Sequence, residues 1–255
     1  MFVLNLDMEN QQQFKYSTGV VGYPTAFVML IWVVFWAQVR FFPEIKSFGI
    51  FPQTLEGLRG IVFSPFIHGD IDHIYHNTIP LFILTMALFY FYRGIAWKVL
   101  LYGVLLSGLI TWMIGRPANH IGASGLIYVL VSFIFFKGIL AKHYRLVALS
   151  LMVIFLYGSM IWYVFPVEEK ISWEGHLGGF IAGILFAFIF RKTIAKPEKY
   201  VWQQPDYNED DDPFLKHFDK DGNFIEHIEP EVEIESEIQS NQPQKITYHF
   251  KKKED

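Results

Sequence analysis

The sequence predicts an all-α membrane protein, and three observations predict that class. Of 255 residues, 52% are hydrophobic and 18% aromatic, while only 18% are charged, a balance too apolar for an ordinary soluble domain. The apolar residues fill most of 25–190 and thin out from Lys196 onward, where Asp and Glu gather; one part of the chain is suited to lipid and another to water. Within the apolar part, six stretches approach the roughly 20 residues needed to cross a bilayer core about 30 Å thick. None alternates with period two and none repeats at fixed spacing, which argues against a β-barrel or a solenoid.

Taken in order, residues 1–24 carry Asp7 and Glu9 and no apolar run, so they are expected to form a short cytoplasmic segment rather than a cleaved export signal. The six-helix domain is expected over 25–195, with spans at Thr25 to Phe42, His73 to Tyr92, Ala96 to Ile114, Ser124 to Leu140, Tyr144 to Phe165 and Gly175 to Phe190. The connection after the first span is long for a structureless loop, and its Phe48, Ile50, Phe51, Ile61 and Phe63 are apolar; it is expected to pack at the membrane interface. Residues 196–255 contain DYNEDDDP and EPEVEIESEIQ, the composition of a solvated, disordered cytoplasmic tail. The DKDGN stretch from Asp219 to Asn223 is read as a turn, because the spacing after Gly222 does not follow a calcium loop.

Lys and Arg near the span ends set the orientation. One set of connections holds Arg93 and Lys98, then Lys137, Lys142 and Arg145, then Arg191, Lys192, Lys196 and Lys199; the opposite set holds Arg40, Lys46, Arg59, Arg116 and Lys170 over longer loops. The first set is expected to be cytoplasmic, which puts both termini inside. The chain has no cysteine and a net charge of −4, so disulfides and thiolate metal sites are excluded, and no basic stripe points to a nucleic-acid partner.

Three polar patterns fall at the expected outer ends of spans 2, 4 and 6: His73 with Asn77, Gly122-Ala123-Ser124-Gly125, and Gly175-His176. In the predicted topology these spans run the same way, so their first turns share a depth. Several polar groups converging inside a membrane are costly and usually functional. Ser124 opens a helix whose unpaired N–H groups suit a developing anion, with Gly122 and Gly125 leaving room for a substrate backbone; a plain helix N-cap serine is the alternative. His176 shares a face with Gly179 and Gly183, small residues at the spacing that lets membrane helices touch. That contact brings an imidazole to a serine as a general base, or else is packing alone. Tyr128, one turn beyond Ser124, is placed to pack on the imidazole or in the core. His73 and Asn77 present an imidazole and an amide to one spot, suited to negative charge; His76 competes for the His73 role, and a metal pair lacks carboxylates. Glu174 is the acidic residue at the edge of a span, and the natural reading is a Ser-His dyad rather than a triad.

On these residues the sequence resembles the rhomboid family of intramembrane serine proteases over about Arg59 to Phe190. His68, His73 and Asn77 match the family's His-x4-His-x3-Asn, Gly122 to Gly125 its Gly-x-Ser-Gly, Tyr128 its tyrosine, and His176, Gly179 and Gly183 its His-x2-Gly-x3-Gly. The resemblance implies a six-helix bundle around a water-filled cavity, a Ser124 nucleophile, a His176 base, and an oxyanion site of His73, Asn77 and the Ser124 backbone. It further implies a cofactor-free endopeptidase acting on single-span membrane proteins, with span 5 and the loop from Pro166 to Glu174 as gate and cap, in a bacterial plasma membrane with its site toward the outer side. Two positions depart: Leu58-Arg59 stands where the family has Trp-Arg, and Gly175 where Ala is common. The competing expectations are an inactive rhomboid-like protein that binds membrane clients and, more remotely, a small transporter.

Overall fold

The computed structural model describes residues 16–191, 200, 202 and 204–225, and the chain divides into two compact units after Pro197. Among the described residues the first unit has six long helices: α1 Thr18–Arg40, α2 Ile71–Phe91, α3 Arg93–Ile114, α4 Ser124–Ala141, α5 Tyr144–Tyr157 and α6 Trp173–Ile189. Among the described residues, five stretches are long and apolar enough to cross a membrane, namely the first four helices and Tyr144–Val164, whereas α6 is a shorter apolar helix of 17 residues. The protein is an all-α, multi-pass integral membrane protein.

Burial explains the arrangement. α4 is apolar on every side and is the most enclosed of the spans; it touches α2, α3, α5 and α6, while α1 packs on α2. A helix without a polar stripe is stable only when surrounded by other helices or lipid. By contrast α5 is mostly uncovered, and its Phe155 is 87% exposed beside Leu151, Met152 and Leu156. Such a face is suited to lipid and not to water.

Several boundaries differ from expectation. The first helix begins at Thr18 rather than Thr25 and runs through Pro24, because in an apolar surrounding the neighbouring turns keep their bonds and one lost N–H does not end the helix. The fifth span stops being α-helical at Tyr157 and tightens into a 3-10 helix over Gly158–Val164. Lys137, assigned above to a cytoplasmic connection, lies instead within α4 with no exposed surface. Its ammonium donates to the Phe190 carbonyl at the end of α6, where a cation meets the negative end of the helix dipole.

The connection between α1 and α2 is folded: 3-10 turns at Pro43–Phe48, Glu56–Arg59 and Ser64–Phe66 flank one α-helical turn at Gly60–Phe63. It leans on α3, and Ile50 pairs with His120 through two 2.9 Å backbone hydrogen bonds. At the Leu58-Arg59 position the Arg59 guanidinium lies 4.1 Å from the centre of the Phe48 ring, an aromatic–arginine contact within the loop.

In the second unit, two 3-10 turns at Glu209–Asp211 and Leu215–His217 precede a bridge between Phe218 and Phe224. The DKDGN stretch is a turn: Gly222 has φ +84° and the Asp219 carboxylate accepts from the Asp221 and Asn223 N–H groups. Most of 1–24, Lys192, Lys196 and Lys199, and the EPEVEIESEIQ stretch lie outside the described residues.

Candidate functional site

The first turns of α2, α4 and α6 meet at one end of the bundle. Ser124 is the first residue of α4, whose N-cap is Ala123 with no side-chain bond. Its hydroxyl therefore does not cap the helix. Instead Ser124 Oγ lies 3.0 Å from His176 Nε2.

The other imidazole nitrogen decides which way that bond runs. His176 Nδ1 is 2.9 Å from the carbonyl oxygen of Tyr163, and a carbonyl only accepts, so the proton sits on Nδ1. Nε2 then carries the lone pair and accepts from the serine hydroxyl. Tyr163 is the penultimate residue of the 3-10 segment after α5, where carbonyls run out of intrahelical partners. The same segment anchors the aromatic support: the Tyr128 ring stacks on His176 with centroids 4.3 Å apart, and its hydroxyl donates to the Met160 carbonyl at 2.6 Å. No carboxylate occupies the third place. Glu174 faces Arg116 and His120.

Glycines bring α6 close enough. A Cβ on Gly179 would lie 2.1 Å from the Gly125 carbonyl oxygen, and one on Gly183 would lie 2.4 Å from that of Val129, so only glycine permits this α4–α6 contact. Gly178, not singled out from the sequence, does the same against the Ser107 carbonyl of α3 at 2.9 Å. At Gly175 the added atom would meet its own cap, Ser172 Oγ, at 3.0 Å. The expected four-residue glycine repeat is thus two contacts on α4, with Gly178 facing α3.

A second set of nitrogens converges beside Ser124. Gly122 adopts φ +110°, and a Cβ there would stand 2.6 Å from His73 Nε2 and 3.6 Å from Asn77 Nδ2. His73 Nδ1 accepts weakly from the Gly69 N–H at 3.4 Å, and Asp70 caps α2 through the His73 N–H at 2.8 Å, which orients the ring with its Nε2–H free to donate. Asn77 is 5% exposed, and its Nδ2 has no hydrogen-bond partner among the described residues. An unmade buried donor costs about 1–3 kcal/mol, a cost usually retained for function. His76 is exposed and turned to the Asp72 carbonyl, away from this spot.

His68 lies behind His73, edge-to-face at 5.1 Å. Burial, with His73 beside it, holds its imidazole down at about 4, and the Phe66 carbonyl opposes that shift without closing a hydrogen bond. A cavity of ≈ 30 Å³ opens next to Ser124, with Ser107, Thr111, His120 and Ser172 among the polar residues of its mixed wall and Val104 and Leu126 among the apolar ones; about 10–15 Å³ holds one water.

A six-helix bundle with a serine–histidine pair between α4 and α6 defines a class of polytopic membrane proteins, and sequence comparison gives it a name. A model of the Rhomboid domain matches residues 56–193. An uncharacterized Mycobacterium tuberculosis protein is 32% identical over 74% of this chain and 81% of its own length, with the same values for one from Mycobacterium bovis. An uncharacterized Mycobacterium leprae protein is 30% identical over 75% of this chain and 81% of its own. The chain belongs to the rhomboid family.

Proposed function

We propose that the protein is an intramembrane serine endopeptidase that hydrolyses peptide bonds in or near the transmembrane segments of single-span membrane proteins. The observation that carries this reading is the Ser124–His176 hydrogen bond, with the imidazole tautomer held by the Tyr163 carbonyl. As the Ser124 oxygen attacks a substrate carbonyl carbon, its proton passes to His176 Nε2. The carbonyl becomes an oxyanion, stabilised by His73 Nε2–H, Asn77 Nδ2 and the Ser124 N–H at the open end of α4. The Tyr163 carbonyl and the Tyr128 face stabilise the imidazolium. Collapse of the intermediate breaks the C–N bond, and the Nε2 proton leaves with the amine. Water from the adjacent cavity then attacks the acyl-Ser124 ester, His176 again taking and returning a proton.

Residues within a helix keep their carbonyls bonded, so substrates with helix-weakening small residues near the outer membrane face suit this site. The weakly covered α5 and the loop from Pro166 to Glu174 serve as gate and cap. The Lys and Arg distribution supports an orientation with both chain ends cytoplasmic and the dyad toward the outer side, and the plasma membrane is the placement that the family resemblance implies.

Reconstituted into liposomes with a single-span model substrate, the protein is expected to give two fragments, and Ser124→Ala none. Intact substrate bound equally well by both forms would instead support the inactive client-binding alternative.

A further inference from the structure

Four residues before each member of the dyad stands a partner of a second bond. His120 precedes Ser124 by four positions and Ser172 precedes His176 by four, and His120 Nδ1 lies 2.6 Å from Ser172 Oγ. His120 is 5% exposed. Its Nε2 is 3.1 Å from the Arg116 carbonyl, which only accepts, so Nε2 carries the proton and Nδ1 accepts from the Ser172 hydroxyl. Ser172 Oγ in turn accepts from the Gly175 N–H at 3.3 Å, closing the first turn of α6.

His120 is also held through its backbone, which exchanges two hydrogen bonds with Ile50. It therefore ties the α1–α2 connection, the α3–α4 loop and the start of α6 together. A second strap runs beside it. The Arg116 N–H donates to Glu174 Oε1 at 3.1 Å, and the Arg116 guanidinium donates to the Glu169 and Ile171 carbonyls at 2.6 and 2.8 Å. The Glu174 carboxylate is fully buried, and its Oε2 sits 3.9 Å from His120 Nδ1.

We propose that His120 and Ser172 form a positioning clasp, braced by Arg116 and Glu174, which sets the distance between Ser124 and His176. Neither residue touches the reacting atoms; each fixes the element that delivers one of them. This rests on the dyad reading above. The bond crosses between the nucleophile's loop and the base's helix one turn from the dyad, so its loss lets the two helix starts drift apart. A misplacement of about 1 Å lowers rates on the order of 10²-fold.

The test compares the rate of serine labelling by a fluorophosphonate on the purified full-length chain for wild type, Ser172→Gly and Ser172→Thr, alongside melting temperature. Glycine caps a helix nearly as well as serine, so Ser172→Gly is expected to melt close to wild type yet label about 10–100-fold more slowly. Ser172→Thr, which keeps the hydroxyl, is expected to recover most of the rate. Labelling of Ser172→Gly at the wild-type rate, or equal slowing in both variants, overturns the clasp. The His120 tautomer, read by NMR on ¹⁵N-histidine protein with His120→Asn for assignment, is independent of both activity and the folding of the Ser172 variants. A proton on Nε2 with Nδ1 accepting supports the clasp, and a proton on Nδ1 contradicts it. No labelling of the wild type would sink the dyad reading while leaving this spectroscopic result standing.

Discussion

Asn77 separates activity from stability more cleanly than any other residue of the site. Its amide nitrogen is buried without a partner, so Asn77→Leu removes an unsatisfied donor and is expected to leave the melting temperature unchanged or raised. Hydrolysis should fall about 10²-fold or more, as for other oxyanion donors; a large drop in melting temperature would mean the amide is structural. His68 gives the opposite kind of signal. Its neutral ring stabilises the fold fully above pH 6.5, and because the folded value is held at about 4, the unfolded chain takes up the proton first as pH falls from 6.5 toward 4. About 3 kcal/mol should be lost by pH 4, and His68→Phe should flatten the melting profile across that window. At this scale the dyad and the His73–Asn77 pair were legible in the sequence because their side chains carry the chemistry. The Tyr163 carbonyl was not, since every residue has one, and only the break from α-helix to 3-10 helix after Tyr157 frees it. His120 was hidden for a different reason: it and Ser172 are 52 positions apart, as the dyad residues are, but neither falls in a motif that marks it.

Helix contacts set the dyad distance. In Gly179→Ala the added carbon would stand 2.1 Å from the Gly125 backbone oxygen, which cannot move without shifting the first turn of α4. The expected result is overpacking of about 1–3 kcal/mol together with a loss of serine reactivity on the order of 10²-fold. Gly22→Ala on α1, where the same atom would meet nothing within 4 Å, is the control and should behave as wild type. Melting curves and labelling rates of the two variants check both statements. The glycine face of α6 was visible in the sequence as His176, Gly179 and Gly183 at i, i+3 and i+7, but the role of Gly178 was not, because it faces α3 rather than α4. Helix ends were read less well than helix faces. The first helix was expected from Thr25, yet α1 starts at Thr18 and passes through Pro24; Lys137 was counted with a cytoplasmic connection, yet it caps α6 from within α4.

For the whole molecule, the all-α membrane architecture follows from long apolar stretches that need no tertiary information, whereas its orientation rests on charge near the span ends. The absence of cysteine in all 255 residues makes that orientation directly measurable. Glu168→Cys, before α6, is expected to react with a membrane-impermeant maleimide in intact cells, and Arg93→Cys, at the first residue of α3, only after permeabilisation; the reverse pattern would invert the bundle. The site itself is an assembly of three helix starts and two loops, and no one segment contains it. Its central claim is that Ser124 is a nucleophile made reactive by His176. Treatment of the purified protein with a fluorophosphonate, followed by mass spectrometry, tests this most directly: the account predicts a single covalent adduct on Ser124, absent in Ser124→Ala and strongly reduced in His176→Ala. An unmodified Ser124 in protein that is folded and competent to bind membrane segments, or labelling that persists unchanged in His176→Ala, would contradict it.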